Sequence, residues 1–119
     1  SLKGKNIGIL GVTYKPGTST LRRSLPIEIC KLLLKKGANI RVYDPKANFS
    51  DLDIKVEVKK NIISLSNNID ILILLTEWKE FLKFDWTSIL LNMRENYFYD
   101  PKRFLSTGKL KKAGFDYFT

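Results

Sequence analysis

Three cations crowd into one short stretch. GVTYKPGTSTLRRS, residues 11–24, holds Lys15, Arg22 and Arg23 together with the hydroxyls of Thr18, Ser19 and Thr20. It follows the branched apolar run Ile7–Val12, which reads as a buried strand, and precedes Ser24-Leu25-Pro26, which reads as a helix start. The free N–H groups and dipole of a helix start favour an anion, and Gly17 lets backbone approach a ligand closely. A phosphate or pyrophosphate is the guest this chemistry suits. The competing reading is a solvated basic loop whose arginines pair with surface carboxylates.

Two familiar phosphate loops are excluded. A dinucleotide fingerprint needs G-x-G-x-x-G, but only Gly11 and Gly17 are present, and Pro16-Gly17-Thr18 does not supply G-x-x-x-x-G-K-S/T. NAD binding of the usual kind or NTP hydrolysis by this chain is therefore not expected. Asp44 sits where a dinucleotide-binding domain keeps its ribose-binding acid, but without the glycines it reads as a turn residue at Asp44-Pro45.

Other chemistry has little to stand on. With no histidine and one cysteine, a zinc site or an internal disulfide framework is not expected. Cys30 falls on the apolar stripe of the first helix and reads as a buried small hydrophobe. Glu77 reads as a charge at a helix start. Trp78, Phe81, Phe84 and Trp86 read as core or interface residues before they read as a base-stacking platform.

The elements that must position the cationic stretch alternate along the chain. After the first strand come a helix from Ser24 to a stop at Gly37, a strand at Asn39–Tyr43, a short extended piece at Lys55–Val58 and a helix at Lys59–Ser66. The most apolar segment, Asp70–Leu75, is the expected central strand. A helical turn at Trp78–Leu82, a helix near Trp86–Met93, a strand at Tyr97–Tyr99, a helix at Thr107–Ala113 closed by Gly114 and a strand at Phe115–Phe118 complete the pattern. The expected fold is α/β: a Rossmann-like three-layer fold with an open, mostly parallel sheet and helices on both faces, in one domain spanning 1–119. Ligands of such sheets bind outside the carboxyl ends of the strands. That points to residues 13–24, 76–81 and 100–104.

The chain has 119 residues, 44% hydrophobic and 28% charged, with a net charge of +9. These values suit a globular domain, and no apolar run approaches the roughly 20 residues of a membrane span. The lysines are scattered rather than gathered on one helix, so nucleic acid is not an expected partner. The single cysteine suggests a reducing, cytoplasmic setting. The opening SLKGK runs straight into a strand and reads as part of a longer chain.

Four ordered motifs carry a resemblance. They are Gly11-Val12-Thr13-Tyr14-Lys15 with Thr18, Arg22 and Ser24; Gly37-Ala38 followed by Tyr43-Asp44-Pro45; Thr76-Glu77-Trp78-Lys79-Glu80-Phe81; and Asp100 with Lys102 and Arg103, closed by Lys109-Leu110, Gly114-Phe115 and Tyr117. Over nearly its full length the chain resembles the C-terminal nucleotide-sugar-binding domain of the UDP-glucose/GDP-mannose dehydrogenase family.

The resemblance implies a part of an NAD-dependent oxidoreductase of polysaccharide biosynthesis, of the UDP-glucose 6-dehydrogenase type. Such enzymes oxidise the C6 hydroxyl of a UDP-hexose twice to give a UDP-uronic acid. They add an N-terminal NAD-binding domain and a central dimerisation domain, and the full-length protein is expected to be a homo-oligomer. By the same likeness the UDP-sugar would meet Tyr14, Lys15, Thr18, Arg22, Lys102 and Arg103. No cofactor would bind this chain, and without the NAD domain and the family's catalytic cysteine it would have no dehydrogenase activity alone. Two departures stand out. Ser19, Thr20 and Arg23 replace residues that are usually acidic, and lysine stands at 102 in place of the family arginine, with arginine one position later. Lysine is a point charge without arginine's two-pronged fork. Lys102 ranks first on register and Arg103 is the alternative. A different class, a non-catalytic interaction or oligomer-bracing module with a basic and aromatic surface exposing Trp78 and Phe81, is the rival reading.

Overall fold

Strand β1 (Asn6–Leu10) leaves the extended conformation at Gly11, whose φ of +87° belongs to the left-handed region. That turn ends the strand two residues before the apolar run itself ends at Val12. The computed structural model describes residues 1–13, 24–51 (the side chain of Asp51 excepted) and 54–119.

Helix α1 (Leu25–Lys35) begins where its sequence signals it. The Ser24 hydroxyl accepts from the Ile27 amide and donates to the Val12 carbonyl at 2.6 Å, so one cap fixes the helix start to the end of β1. Pro26 occupies the first turn, and Gly37, at φ +90°, turns the chain into β2 (Asn39–Tyr43). A 3-10 turn at Phe49–Asp51 precedes β3 (Glu57–Val58).

Helix α2 (Ile62–Ser66) is shorter than its pattern predicts. Lys59 donates its amide to the Val42 carbonyl, extending the β2–β3 pairing, and Asn61 caps the helix through Ser64. The residues before Ile62 therefore have other hydrogen-bond duties. Strand β4 (Ile71–Leu74), a 3-10 helix at Lys79–Lys83, α3 (Trp86–Asn92), β5 (Tyr97–Tyr99), α4 (Thr107–Ala113) and β6 (Asp116–Phe118) follow, each within about two residues of its predicted bounds.

The six strands form one sheet in the order β3-β2-β1-β4-β5-β6, and all pairs are parallel. Ile7 lies opposite Ile40 on one side and Ile71 on the other. This register divides the apolar residues between two faces. Ile7, Ile9, Ile40, Val42 and Ile73 pack with Ile27 and Cys30 of α1. Leu10, Leu72, Leu74, Phe98 and Tyr117 pack with Leu65, Trp86, Ile89 and Leu110 of the other three helices. Helices thus cover both faces, as in a doubly wound sheet. Among the described residues, no helix is long and apolar enough to cross a membrane.

Candidate functional site

The strand order reverses between β1 and β4, which is where a doubly wound sheet opens a crevice at its carboxyl edge. Two threonines join across that point: Thr76 donates its hydroxyl to the Thr13 carbonyl at 2.9 Å, and both residues are buried. The Leu75 amide donates to the Leu10 carbonyl at 2.9 Å, so the two strand ends run as one unit. Gly11 makes the approach possible, because a Cβ there would lie 2.4 Å from that of Thr76.

Asp44, at the end of β2, organises the same edge. Its Oδ1 accepts from the amides of Lys46 and Ala47, both at 2.9 Å, which is the turn expected at Asp44-Pro45. Its Oδ2 does something the sequence reading missed. It accepts from the Val12 amide at 2.9 Å, the Thr13 amide and hydroxyl at 3.1 Å each, and the Trp78 indole at 3.0 Å. The carboxylate is buried and fully engaged, so it has no free oxygen for a ribose. Together with the missing glycines, this makes the edge a poor fit for NAD.

The loop after β4 meets the loop after β5 through charge. Lys102 Nζ stands 3.2 Å from Glu77 Oε1, with Lys102 largely exposed and Glu77 about one-third exposed. Glu77 is therefore the partner of a candidate ligand cation as well as a charge ahead of the 3-10 helix. Arg103 points elsewhere. Its φ of +51° turns the chain, and its Nε donates to the Thr119 hydroxyl at 3.3 Å, beside β6. Asp100 anchors this loop from inside, accepting from the Leu105 amide at 2.8 Å and the Tyr117 phenol at 2.6 Å. Burial, with the carboxylate beside it, raises the Tyr117 phenol above the ordinary tyrosine range.

Of the six sequence-predicted ligand residues, Lys102 and Arg103 are placed as above. Tyr14, Lys15, Thr18 and Arg22 lie outside the described residues, between Thr13 and Ser24, which bracket them at the carboxyl edge. Cys30 is fully buried, and burial pushes its thiol up to about 12, the behaviour of a core residue and not of a nucleophile. Phe81 and Trp86 are sealed in the core, while Trp78 and Phe84 are partly buried against it. Phe81 therefore offers no docking surface, which removes one of the two aromatics on which the interaction-module reading relied.

An all-parallel doubly wound sheet that opens a crevice at its carboxyl edge is an architecture shared by many nucleotide-binding domains. Residues 8–107 match the model of the UDP-glucose/GDP-mannose dehydrogenase family, UDP binding domain, and the chain belongs to that family. It is 36% identical to a UDP-glucose 6-dehydrogenase of Rickettsia bellii, over 99% of this chain and 28% of that protein. It also superimposes on a UDP-glucose dehydrogenase from Pyrobaculum islandicum with a TM-score of 0.76 at 26% identity, covering 99% of this chain and 26% of that one. A UDP-D-ManNAc dehydrogenase from Pyrococcus horikoshii shares the fold, with a TM-score of 0.79 at 22% identity over 98% of this chain and 25% of that one. The chain spans about a quarter of the length of these relatives.

Proposed function

We propose that this chain is the UDP-sugar-binding part of an NAD-dependent nucleotide-sugar 6-dehydrogenase that takes UDP-glucose to the UDP-uronic acid. Its own task is binding and orientation. The diphosphate would sit at the carboxyl edge over β1, β4 and β5, with Lys15 and Arg22 from the 14–23 stretch and Lys102 from the loop after β5 neutralising it. Tyr14 and Thr18 would contact the sugar-phosphate, and Arg103 is the alternative to Lys102. The oxidation and the NAD would belong to the rest of a longer protein, as would assembly into an oligomer.

One observation supports this reading above the others. The ends of β1, β2, β4 and β5 are tied together at the switch point, and a lysine reaches it from the loop after β5. The Lys102–Glu77 pair favours Lys102 over Arg103, because Arg103 is turned toward the chain end. UDP-glucose is favoured over other UDP-sugars by the Rickettsia bellii relative, which is named for it.

Isothermal calorimetry of the full-length protein with UDP and UDP-glucose tests the assignment. Lys15→Ala and Lys102→Ala should each weaken UDP binding by about tenfold, the loss of one charge-assisted contact. Unchanged affinity in both variants would remove the site.

A further inference from the structure

The two oxygens of Asp44 divide their work. Oδ1 builds the local turn with Lys46 and Ala47. Oδ2 makes no local bond at all among those described: its donors come from Val12 and Thr13, 32 and 31 residues away, and from Trp78, 34 residues away. A residue that only turned the chain would need the first oxygen and not the second.

We propose that Asp44 is a positioning residue for the nucleotide site. It sets the direction in which the backbone leaves β1 at Val12 and Thr13, and it couples that exit through Trp78 to Glu77 and Lys102. The inference rests on the seat for UDP at residues 14–23. Asp44 acts through its neighbours, since it is itself buried with both oxygens occupied.

The physics is that of an over-determined acceptor. A carboxylate oxygen offers two lone pairs, and four donors converge on Oδ2. The four bonds are of ordinary length, 2.9–3.1 Å, and share one carboxylate oxygen, so the converging groups are confined to one arrangement around it. Thr13 is held a second time, through its carbonyl, by Thr76. Trp78 follows Glu77 in the chain, and Glu77 holds Lys102. The result is a continuous line of contacts from the loop after β1, through those after β2 and β4, to the loop after β5. The exit of the backbone from β1 at Val12 and Thr13 would then be fixed before any ligand arrives, which lowers the ordering cost of binding.

An asparagine at 44 separates the two roles. Its carbonyl can still form the turn, but its NH2 would face N–H donors. The test is UDP calorimetry and peptide-resolved hydrogen–deuterium exchange on the full-length protein as wild type, Asp44→Asn, Trp78→Phe and Lys15→Ala. The expected result for Asp44→Asn is UDP affinity lower by about tenfold or more, the loss of charge-assisted bonds. Exchange should be faster in the peptide covering 11–24 and unchanged in those covering 69–75 and 97–99. Trp78→Phe removes one donor and should cost about threefold. Wild-type affinity in Asp44→Asn, with Lys15→Ala impaired, overturns the inference and leaves the site intact. Faster exchange in every peptide also overturns it, because it shows a general loss of stability. If Asp44→Asn does not fold, a Trp78→Phe protein with wild-type affinity and wild-type exchange at 11–24 overturns it equally. Absence of UDP binding in the wild type, or binding that Lys15→Ala leaves untouched, removes the seat itself and the inference with it.

Discussion

Gly11 and Thr76 lie so close that a methyl group on the glycine would stand 2.8 Å from both the backbone nitrogen and the carbonyl oxygen of the threonine. Contact with backbone cannot be relieved by a rotamer change. The positive φ of Gly11 adds a second penalty for any side chain. Gly11→Ala should therefore destabilise the fold by about 3 kcal/mol or more, combining overpacking with left-handed strain. Urea denaturation followed by far-UV circular dichroism measures it. An unchanged midpoint would mean that the two strand ends part easily.

At the opposite edge of the sheet, Asp70 is buried and accepts from Arg94 Nε at 2.6 Å and from the Asn6 amide at 2.8 Å. Hydrogen bonds from Arg94 hold its carboxyl below the usual value, against the opposing effect of burial; the Asn6 amide and the charges of Arg94 and Lys5 act in the same direction as the bonds. A carboxyl depressed in the folded state adds stability that is complete above its unfolded value of about 3.9 and fades as pH falls through the folded one. Asp70→Asn should lower stability at neutral pH by about 1–3 kcal/mol and flatten its decline below about pH 4. Unfolding free energies measured across pH 2–7 decide the matter. Parallel curves for the two proteins would count against it.

Glu77 should act as a competitor for the ligand. Its pair with Lys102 is largely exposed, and such pairs contribute at most about 1 kcal/mol. A diphosphate carries more charge than one carboxylate and can displace it. Glu77→Gln should therefore tighten UDP binding by about two- to fivefold, with a steeper dependence on salt. Calorimetry at two ionic strengths would show this, and a weaker complex would mean that Glu77 itself helps to hold the nucleotide or its cation in place.

Tyr117 anchors the loop after β5 through Asp100 and, at 3.2 Å, the Leu105 carbonyl. Its phenol is raised in the folded state, so its contribution is complete below the unfolded tyrosine value of about 10 and is lost as pH rises toward the folded one. Tyr117→Phe should cost about 1–2 kcal/mol at pH 7 and make the protein less sensitive to pH above about 10. Thermal melts at pH 7, 9 and 11 follow both effects. Equal losses for variant and wild type between pH 9 and 11 would speak against the link to Asp100.

Much of this architecture is legible in residue order. Among the described residues, periodicity locates the α-helices and most strands because each buries a stripe or face. Strand β3 is exposed at both residues and the 3-10 turn at Phe49–Asp51 gave no signal, while β4 is central as its unbroken apolar run requires. The missed details are non-local. The amide of Lys59 belongs to the carbonyl of Val42, so α2 begins later than its own pattern suggests. The sheet is parallel throughout, where the alternation of elements demanded only that it be mostly so. The larger omission is Asp44. Its nearest sequence signal is a turn, and only the folded chain brings Val12, Thr13 and Trp78 to its second oxygen. The Tyr-Asp-Pro motif marked the position but not the partners.

The placement of the two indoles has a practical meaning. Trp86 is closed inside the aromatic core against Phe98 and Phe115, whereas Trp78 stands at the carboxyl edge of the sheet with its N–H on a carboxylate. Light emitted by the first is insulated from events at the strand ends, and light emitted by the second is not. The chain thus carries an intrinsic optical gauge of that edge, and a Trp86→Phe background would leave Trp78 as the sole indole.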